Sequence, residues 1–175
     1  MRRLFVLLAL YLPLTLHAAE RPQVVTTFSI LADLTREIGG DDIVLTSLVA
    51  ADADAHVFEP TPRDLRTILA ADLLVANGLG FEPWLERLLA SGEARGRRID
   101  ASAGVLPLQV EEDGRRIADP HAWQSLGNAE TYARNIARAL SEIDPDNAAD
   151  YAARRDAWLA RLDALRSEIA PRLEA

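Results

Sequence analysis

From residue 23 to residue 101, short apolar runs alternate with stretches whose apolar residues recur every three or four positions. This rhythm constrains the fold more than any other feature of the chain. Residues 23–27 (QVVTT) are largely β-branched and read as a strand. Ser29, a helix-capping residue type, precedes Ile30, Leu31, Leu34 and Ile38 on one helical face, and Gly39-Gly40 ends that helix. Residues 43–49 (IVLTSLV) form the second predicted strand, followed by a loop over 51–61. Pro62 suits a first helical turn, and Leu65, Ile68 and Leu69 supply the next apolar face. Residues 72–76 (DLLVA) read as a buried strand and 77–80 (NGLG) as a turn. A helix over 81–90 turns Trp84, Leu85, Leu88 and Leu89 inward. A fourth strand is predicted at 99–101, a short additional one at 105–110, and a charged turn at 111–116. Apolar strands without alternation, separated by helices, belong to a parallel sheet flanked by helices on both faces. The predicted class is therefore α/β, and ligands of such sheets bind beyond the carboxyl ends of the strands.

The remainder reads as helix. Residues 128–143 carry Tyr132, Ile136 and Leu140 on one face, and Asp144-Pro145-Asp146 interrupts them. From Asn147 onward Tyr151, Trp158, Leu162, Leu165 and Ile169 keep a spacing of three or four. A helix of roughly 25 residues would run about 37 Å at about 1.5 Å per residue. That is long for a globular domain, and Pro171 is expected to kink or end it.

A chain of 175 residues, 49% of them hydrophobic, is enough for one domain with its own core. The net charge of -8 leaves no basic face for nucleic acid. Met1-Arg2-Arg3, the apolar run 4–16 and the small residues Ala18 and Ala19 read as a secretory signal peptide over 1–19. The apolar run is too short for a spanning helix, which needs about 20 residues. Cleavage after Ala18 or Ala19 would remove His17 and two arginines, taking the charge to -8 - 2 = -10. The chain has no cysteine, which excludes disulfides, thiolate-bound zinc and a cysteine nucleophile within it. It also offers no cysteine to accept a lipid, so a periplasmic protein without a lipid anchor is expected.

Two histidines remain, each in an acid-flanked and proline-stiffened setting. His56 stands in DAHVFEP, with Asp52 and Asp54 before it, Glu59 after it, and Pro60 and Pro62 closing the loop. It lies seven residues past the second predicted strand, which puts it on the carboxyl rim of the sheet. His121 stands in ADPHAW, where Asp119 is placed to cap a helix opening at Pro120. A carboxylate beside a ligating imidazole can accept its second N–H, fix the tautomer and raise its basicity. The pattern points to a metal site with His56 and His121 as ligands and Asp54, Asp119 and Glu59 supporting them; imidazole suits zinc, manganese, iron, nickel and copper. Residues 77–80 lack the spacing and lysine of a phosphate loop, and no serine stands in a nucleophile elbow. Trp84, Trp123 and Trp158 read as packing residues.

These motifs resemble the periplasmic solute-binding proteins of manganese and zinc ABC transporters. VVTTFSILADLTREIGGD is similar to that family's opening strand and helix, and ADLLVANGLGFEPWLERLL to its middle segment. DAHVFEPTPRDL resembles its first-ligand loop, with Ala55 where the family usually has proline. DPHAWQSLGNAETYARNIARALSEIDPDNAADY resembles the second-ligand segment and the entry to a long helix. The resemblance implies two α/β lobes joined by one rigid helix, with the metal clamped between them. It implies that His56 and His121 are ligands, and that a Glu or His and an Asp come from the second lobe. On this reading residues 1–19 are the signal peptide, 20–126 the N-terminal metal-binding lobe and 127–175 a helical segment including the inter-lobe helix. The second lobe is expected to be absent, the Trp158–Leu162 face partly exposed, and metal held weakly by this chain alone. The expected role is capture of zinc or manganese by a monomer that is not an enzyme, for delivery to an ABC permease in the inner membrane. The lack of histidine in 111–116 tilts the choice toward manganese. Two other readings stand beside it: a periplasmic metallohydrolase fragment using the same two histidines with Glu59 as base, and a helix-linked binder of a siderophore or corrinoid.

Overall fold

The computed structural model describes residues 20–173 apart from positions 93 and 113; the expected signal segment, 1–19, lies outside the described residues. Four strands, β1 (Gln23–Phe28), β2 (Val44–Val49), β3 (Leu73–Ala76) and β4 (Arg97–Asp100), form a parallel sheet in the order β2-β1-β3-β4. The helices between them are α1 (Ser29–Gly39), α2 (Pro62–Ala70) and α3 (Leu85–Leu89). A hairpin of β5 (Gln109–Glu112) and β6 (Arg115–Ala118) follows, then α4 (Leu126–Ile143) and α5 (Ala148–Leu173). The α/β class with a parallel sheet and a long C-terminal helix is the one the sequence predicts. No helix among the described residues is long and apolar enough to cross a membrane.

The central strands are buried on both sides, which is why their sequences do not alternate. Val24, Leu73 and Val75 face one core with α1, α4 and α5, where Leu31, Ile38, Ile136, Leu140 and Tyr151 meet. Val25, Leu74 and Ala76 face the other, under Ile68 of α2 and Leu85 of α3. At roughly 1.5–3 kcal/mol for each large apolar side chain fully buried, the first core is the larger source of stability. The two final helices thus pack in the same core as the sheet.

Several boundaries differ from expectation for local reasons. Ser29 is the first residue of α1, behind Phe28, and no side chain caps that helix. Thr61 caps α2 instead, in a reciprocal capping box with Asp64 and with Pro62 at the first helical position. The helix predicted at 81–90 shrinks to α3, because residues 78–84 are drawn into the rim turn described below. The predicted strand at 105–110 and charged turn at 111–116 are one hairpin, in which Glu111 pairs with Arg116 across the strands. No helix opens at Pro120: His121 precedes a single 3-10 turn, Ala122–Gln124, and α4 begins at Leu126.

The long helix is clamped to the sheet's helices by arginines. Arg154 donates through Nε to the Ile38 carbonyl (2.7 Å) and through Nη2 to the Gly39 carbonyl (3.0 Å) and Asp42 (2.6 Å), over the ring of Tyr151. A cation at the C-terminal carbonyls of α1 is favourably placed against the helix dipole. Gly40, at φ +57°, makes this possible: a Cβ there would meet the guanidinium at 3.1 Å. Arg161 pairs with Glu37 and Arg166 with Glu130. Leu162, expected on a partly exposed face, is 7% exposed, whereas Trp158 is half-buried and Leu165 further along is exposed. Pro171 sits in the last turn without ending the helix. Arg154→Leu leaves the Ile38 and Gly39 carbonyls and Asp42 without their donor. It is expected to lower stability by about 1–3 kcal/mol in urea unfolding, and an unchanged midpoint would show that Arg154 does not clamp α5.

Candidate metal centre

The sheet's strand order reverses between β1 and β3, and the loops after those strands diverge over the carboxyl rim, where α/β sheets form their binding crevice. Phe28 ends β1 and Phe81 follows β3; their rings meet at 5.0 Å, with Trp123 4.9 Å from each. His56 and His121 stand on this aromatic floor. The His56 ring is 5.0 Å from Phe81, and that of His121 is 5.3 Å from Trp123.

The two imidazoles, 65 residues apart in sequence, meet nitrogen to nitrogen, with Nε2 to Nε2 at 3.1 Å. The same device holds each backbone. Asp54 accepts from the His56 N–H at 2.9 Å, closing the 3-10 turn Ala55–Val57, and Asp119 accepts from the His121 N–H at 2.9 Å. Asp119 also lies 2.8 Å from Nδ1 of His121. The bonds from the His121 backbone and ring hold the Asp119 carboxyl below its ordinary range. An ionised carboxylate can only accept, so Nδ1 carries a proton, and in the neutral form of such an imidazole Nε2 is the nitrogen with the lone pair. Asp54 touches the backbone rather than its imidazole, and Glu59 is exposed with no hydrogen bond to either histidine among the described residues. Of the three acids anticipated, Asp119 alone contacts a ring.

The histidines open onto a cleft of about 650 Å³ bounded by Phe81, Val110, Ile117 and Asp119. Among the described residues no group of three or more His, Cys, Asp or Glu side chains could hold a metal ion. The rim therefore brings two imidazole nitrogens together beside the cleft.

Beneath the histidines lies a buried polar network that the sequence reading reduced to a turn. Gly78, Leu79 and Gly80 all have positive φ, and a Cβ on Gly78 would meet Asp100 and Ser102 at 2.9 Å. This turn brings the N–H groups of Asn77 and Gly78 onto the buried carboxylate of Glu82 at 2.6 and 3.2 Å, with Thr27 Oγ1 donating at 2.7 Å. A Glu between Phe81 and Pro83-Trp84, in an otherwise apolar stretch, was the available signal.

These features define an α/β lobe of the binding-protein type, with its paired histidines on the carboxyl rim of a parallel sheet. The chain belongs to the family described as ZnuA, zinc-uptake complex component A periplasmic, which matches residues 24–175. It is 37% identical over 156 residues to the iron-binding protein YfeA of Yersinia pestis, covering 89% of this chain and 50% of that protein. It is 38% identical to the manganese ABC transporter substrate-binding lipoprotein ScaA of Streptococcus gordonii, covering 86% and 51%. A Mn-bound periplasmic metal binding protein from Candidatus Liberibacter asiaticus superposes with a TM-score of 0.75 at 34% identity, over 86% of this chain and 55% of that one. Zn(II)-bound AdcA of Streptococcus pneumoniae does so at 0.76 and 25% identity, over 87% and 32%. The chain thus spans about half the length of the curated relatives it matches. Nothing in this family or these relatives supports the metallohydrolase alternative.

Burial raises the Glu82 carboxyl above its ordinary range, against the pull of its hydrogen bonds. A raised acid binds its proton more tightly folded than unfolded, so this group's contribution is greatest below the ordinary carboxylate range and fades as pH rises from that range through the raised folded value. In thermal unfolding, the stability of the natural chain relative to Glu82→Gln is expected to fall as pH rises across that range. A pH-independent difference would contradict the assignment.

Proposed function

We propose that the chain captures a divalent transition metal, zinc or manganese, between His56 and His121, as cargo for an ABC importer. The observation that carries this reading is the separation of the two facing nitrogens. Two imidazoles bound about 2.0–2.1 Å from a tetrahedral zinc ion stand about 3.3 Å apart. His56 Nε2 and His121 Nε2 stand 3.1 Å apart beside the cleft, so a cation can sit between them with little rearrangement. Asp119 fixes the tautomer that leaves the His121 Nε2 lone pair free, and Asp54 and Asp119 hold the two backbones.

The binding is capture without bond-making, so the chain is not an enzyme. Glu59, the base that the hydrolase reading would need, is exposed and makes no hydrogen bond to either histidine among the described residues. Residues 20–126 supply the metal-binding rim and 127–175 the helical segment, with α5 as the rod toward a second lobe in the part of the relatives' length that this chain does not span. That lobe would complete the ligand set. The partner is the permease of the importer in the inner membrane, met by a monomer in the periplasm. The 175 residues themselves offer no cysteine for a lipid. The relatives are named for iron, manganese and zinc, so the present half-site fits the class of ion rather than one metal.

Calorimetric titration of zinc and of manganese into the full chain tests this directly. His56→Ala and His121→Ala are each expected to weaken binding by more than the roughly tenfold that loss of an outer-shell partner costs. Protons compete for the same nitrogens, so affinity is expected to fall as pH is lowered. Equal binding by the natural chain and both variants would overturn the proposal.

A further inference from the structure

Asn77 is wholly buried at the end of β3, and each of its polar atoms is used. Its N–H donates to Glu82, and its carbonyl accepts from the Ser102 N–H (3.2 Å) and Oγ (2.6 Å). Its side-chain oxygen accepts from Tyr132 Oη at 2.7 Å, and its side-chain nitrogen donates to the carbonyls of Gly78 (3.0 Å) and Pro120 (2.9 Å). The orientation of the amide is fixed by chemistry: turned over, it would set its oxygen against two carbonyl oxygens and its nitrogen against a hydroxyl.

The Pro120 bond matters most, because it crosses 43 residues to the peptide unit that carries His121. That segment runs between the end of β6 and a single 3-10 turn, and its other outside bonds, from the Asp119 N–H to the Leu108 carbonyl (2.7 Å) and from the Asn128 side chain to the Ala122 carbonyl (3.0 Å), reach the loop before β5 and α4 rather than the sheet. The Asp119 contacts with His121 lie within the segment and do not tie it to the sheet. Asn77 does, and behind it stand Thr27 on β1 through Glu82, and Tyr132 on α4. We propose that Asn77 is a positioning residue for metal capture, its carboxamide anchoring Pro120 to the sheet so that the His121 imidazole stands at coordination distance from His56. The inference rests on the function proposed above. It goes beyond it by assigning the geometry of the pair to a buried side chain that touches neither imidazole.

The test uses the full chain, first without metal and then with zinc. The two rings, with centroids 5.2 Å apart, are expected to give a ring-proton cross-relaxation signal by NMR in the metal-free natural chain. Asn77→Ser is too short to reach Pro120, so it is expected to lose that signal and to bind zinc about tenfold more weakly, as loss of an outer-shell partner does. Ile68→Ala, in the core on the opposite face, provides a destabilised control and is expected to keep both the signal and the affinity. If Asn77→Ser does not fold, Tyr132→Phe removes only the hydroxyl that orients the amide, and a smaller loss in both readouts is expected. An unchanged signal in the folded variant, or equal losses in the control, would overturn the positioning role. If the natural chain gives the signal but binds no metal, the proposed function fails and the signal alone decides what Asn77 does.

Discussion

The carboxyl rim depends on one buried carboxylate. Glu82 gathers the N–H groups of Asn77 and Gly78 and the hydroxyl of Thr27, and in doing so holds three consecutive residues in the left-handed region. Leu79 adopts φ +56°, a conformation that costs a residue with a Cβ roughly 1–2 kcal/mol. Only a set of hydrogen bonds lost together could keep the turn in that state. The turn in turn delivers Phe81 to the floor beneath the imidazoles. Sheet, turn, floor and histidines are thus one connected object. The strands set the positions of Thr27 and Asn77, and those two residues set the rest.

That connection explains which parts of the molecule could be read from the sequence. The parallel sheet follows from two-sided burial of strands such as residues 73–76, where each side chain is apolar and none faces water. The helices follow from the spacing of Leu31, Ile38, Ile136 and Leu140. Asp119 beside His121 was legible because a local device works between residues two apart. The pairing of His56 with His121 was expected from the resemblance of their flanking motifs, and its nitrogen-to-nitrogen geometry needed the fold. Asn77 and Glu82 were not legible. Their partners lie up to 55 residues away, and a Gly-rich turn looks the same whether it encloses a carboxylate or only solvent. Propensity also opened a helix at Pro120, where only a 3-10 turn follows, and overran α3, whose first residues are taken up by the turn around Glu82.

The arginine clamp on α5 gives the long helix a second meaning. A helix of 26 residues runs about 39 Å at about 1.5 Å per residue. Arg154 at its start, Arg161 in its middle and Arg166 beyond hold it against α1 and α4 along three turns of separate contact. It therefore leaves the lobe in a fixed direction, while its apolar spacing continues through the exposed Leu165. Such a rod can transmit position from this lobe to whatever packs against its far end, but it cannot act as a soft hinge.

On the function proposed here, two imidazoles on an open cleft are half of a coordination sphere. Zinc takes about four ligands in a closed site, and each position left to water is one that solvent can exploit to remove the ion. A pair held at 3.1 Å, His121 through the Asn77–Pro120 bond and His56 through Asp54, would lose little entropy on binding and so capture a cation on encounter. The same pair, without further protein ligands, cannot retain it strongly. Cargo binding requires both properties, since an ion held by one rigid lobe alone with a full ligand set would have no route of release. On the function proposed here, the site's incompleteness among these residues and the stiffness of α5 are two sides of one requirement. The first ligands must be rigid enough to catch the ion, and the remainder must belong to a body that can withdraw.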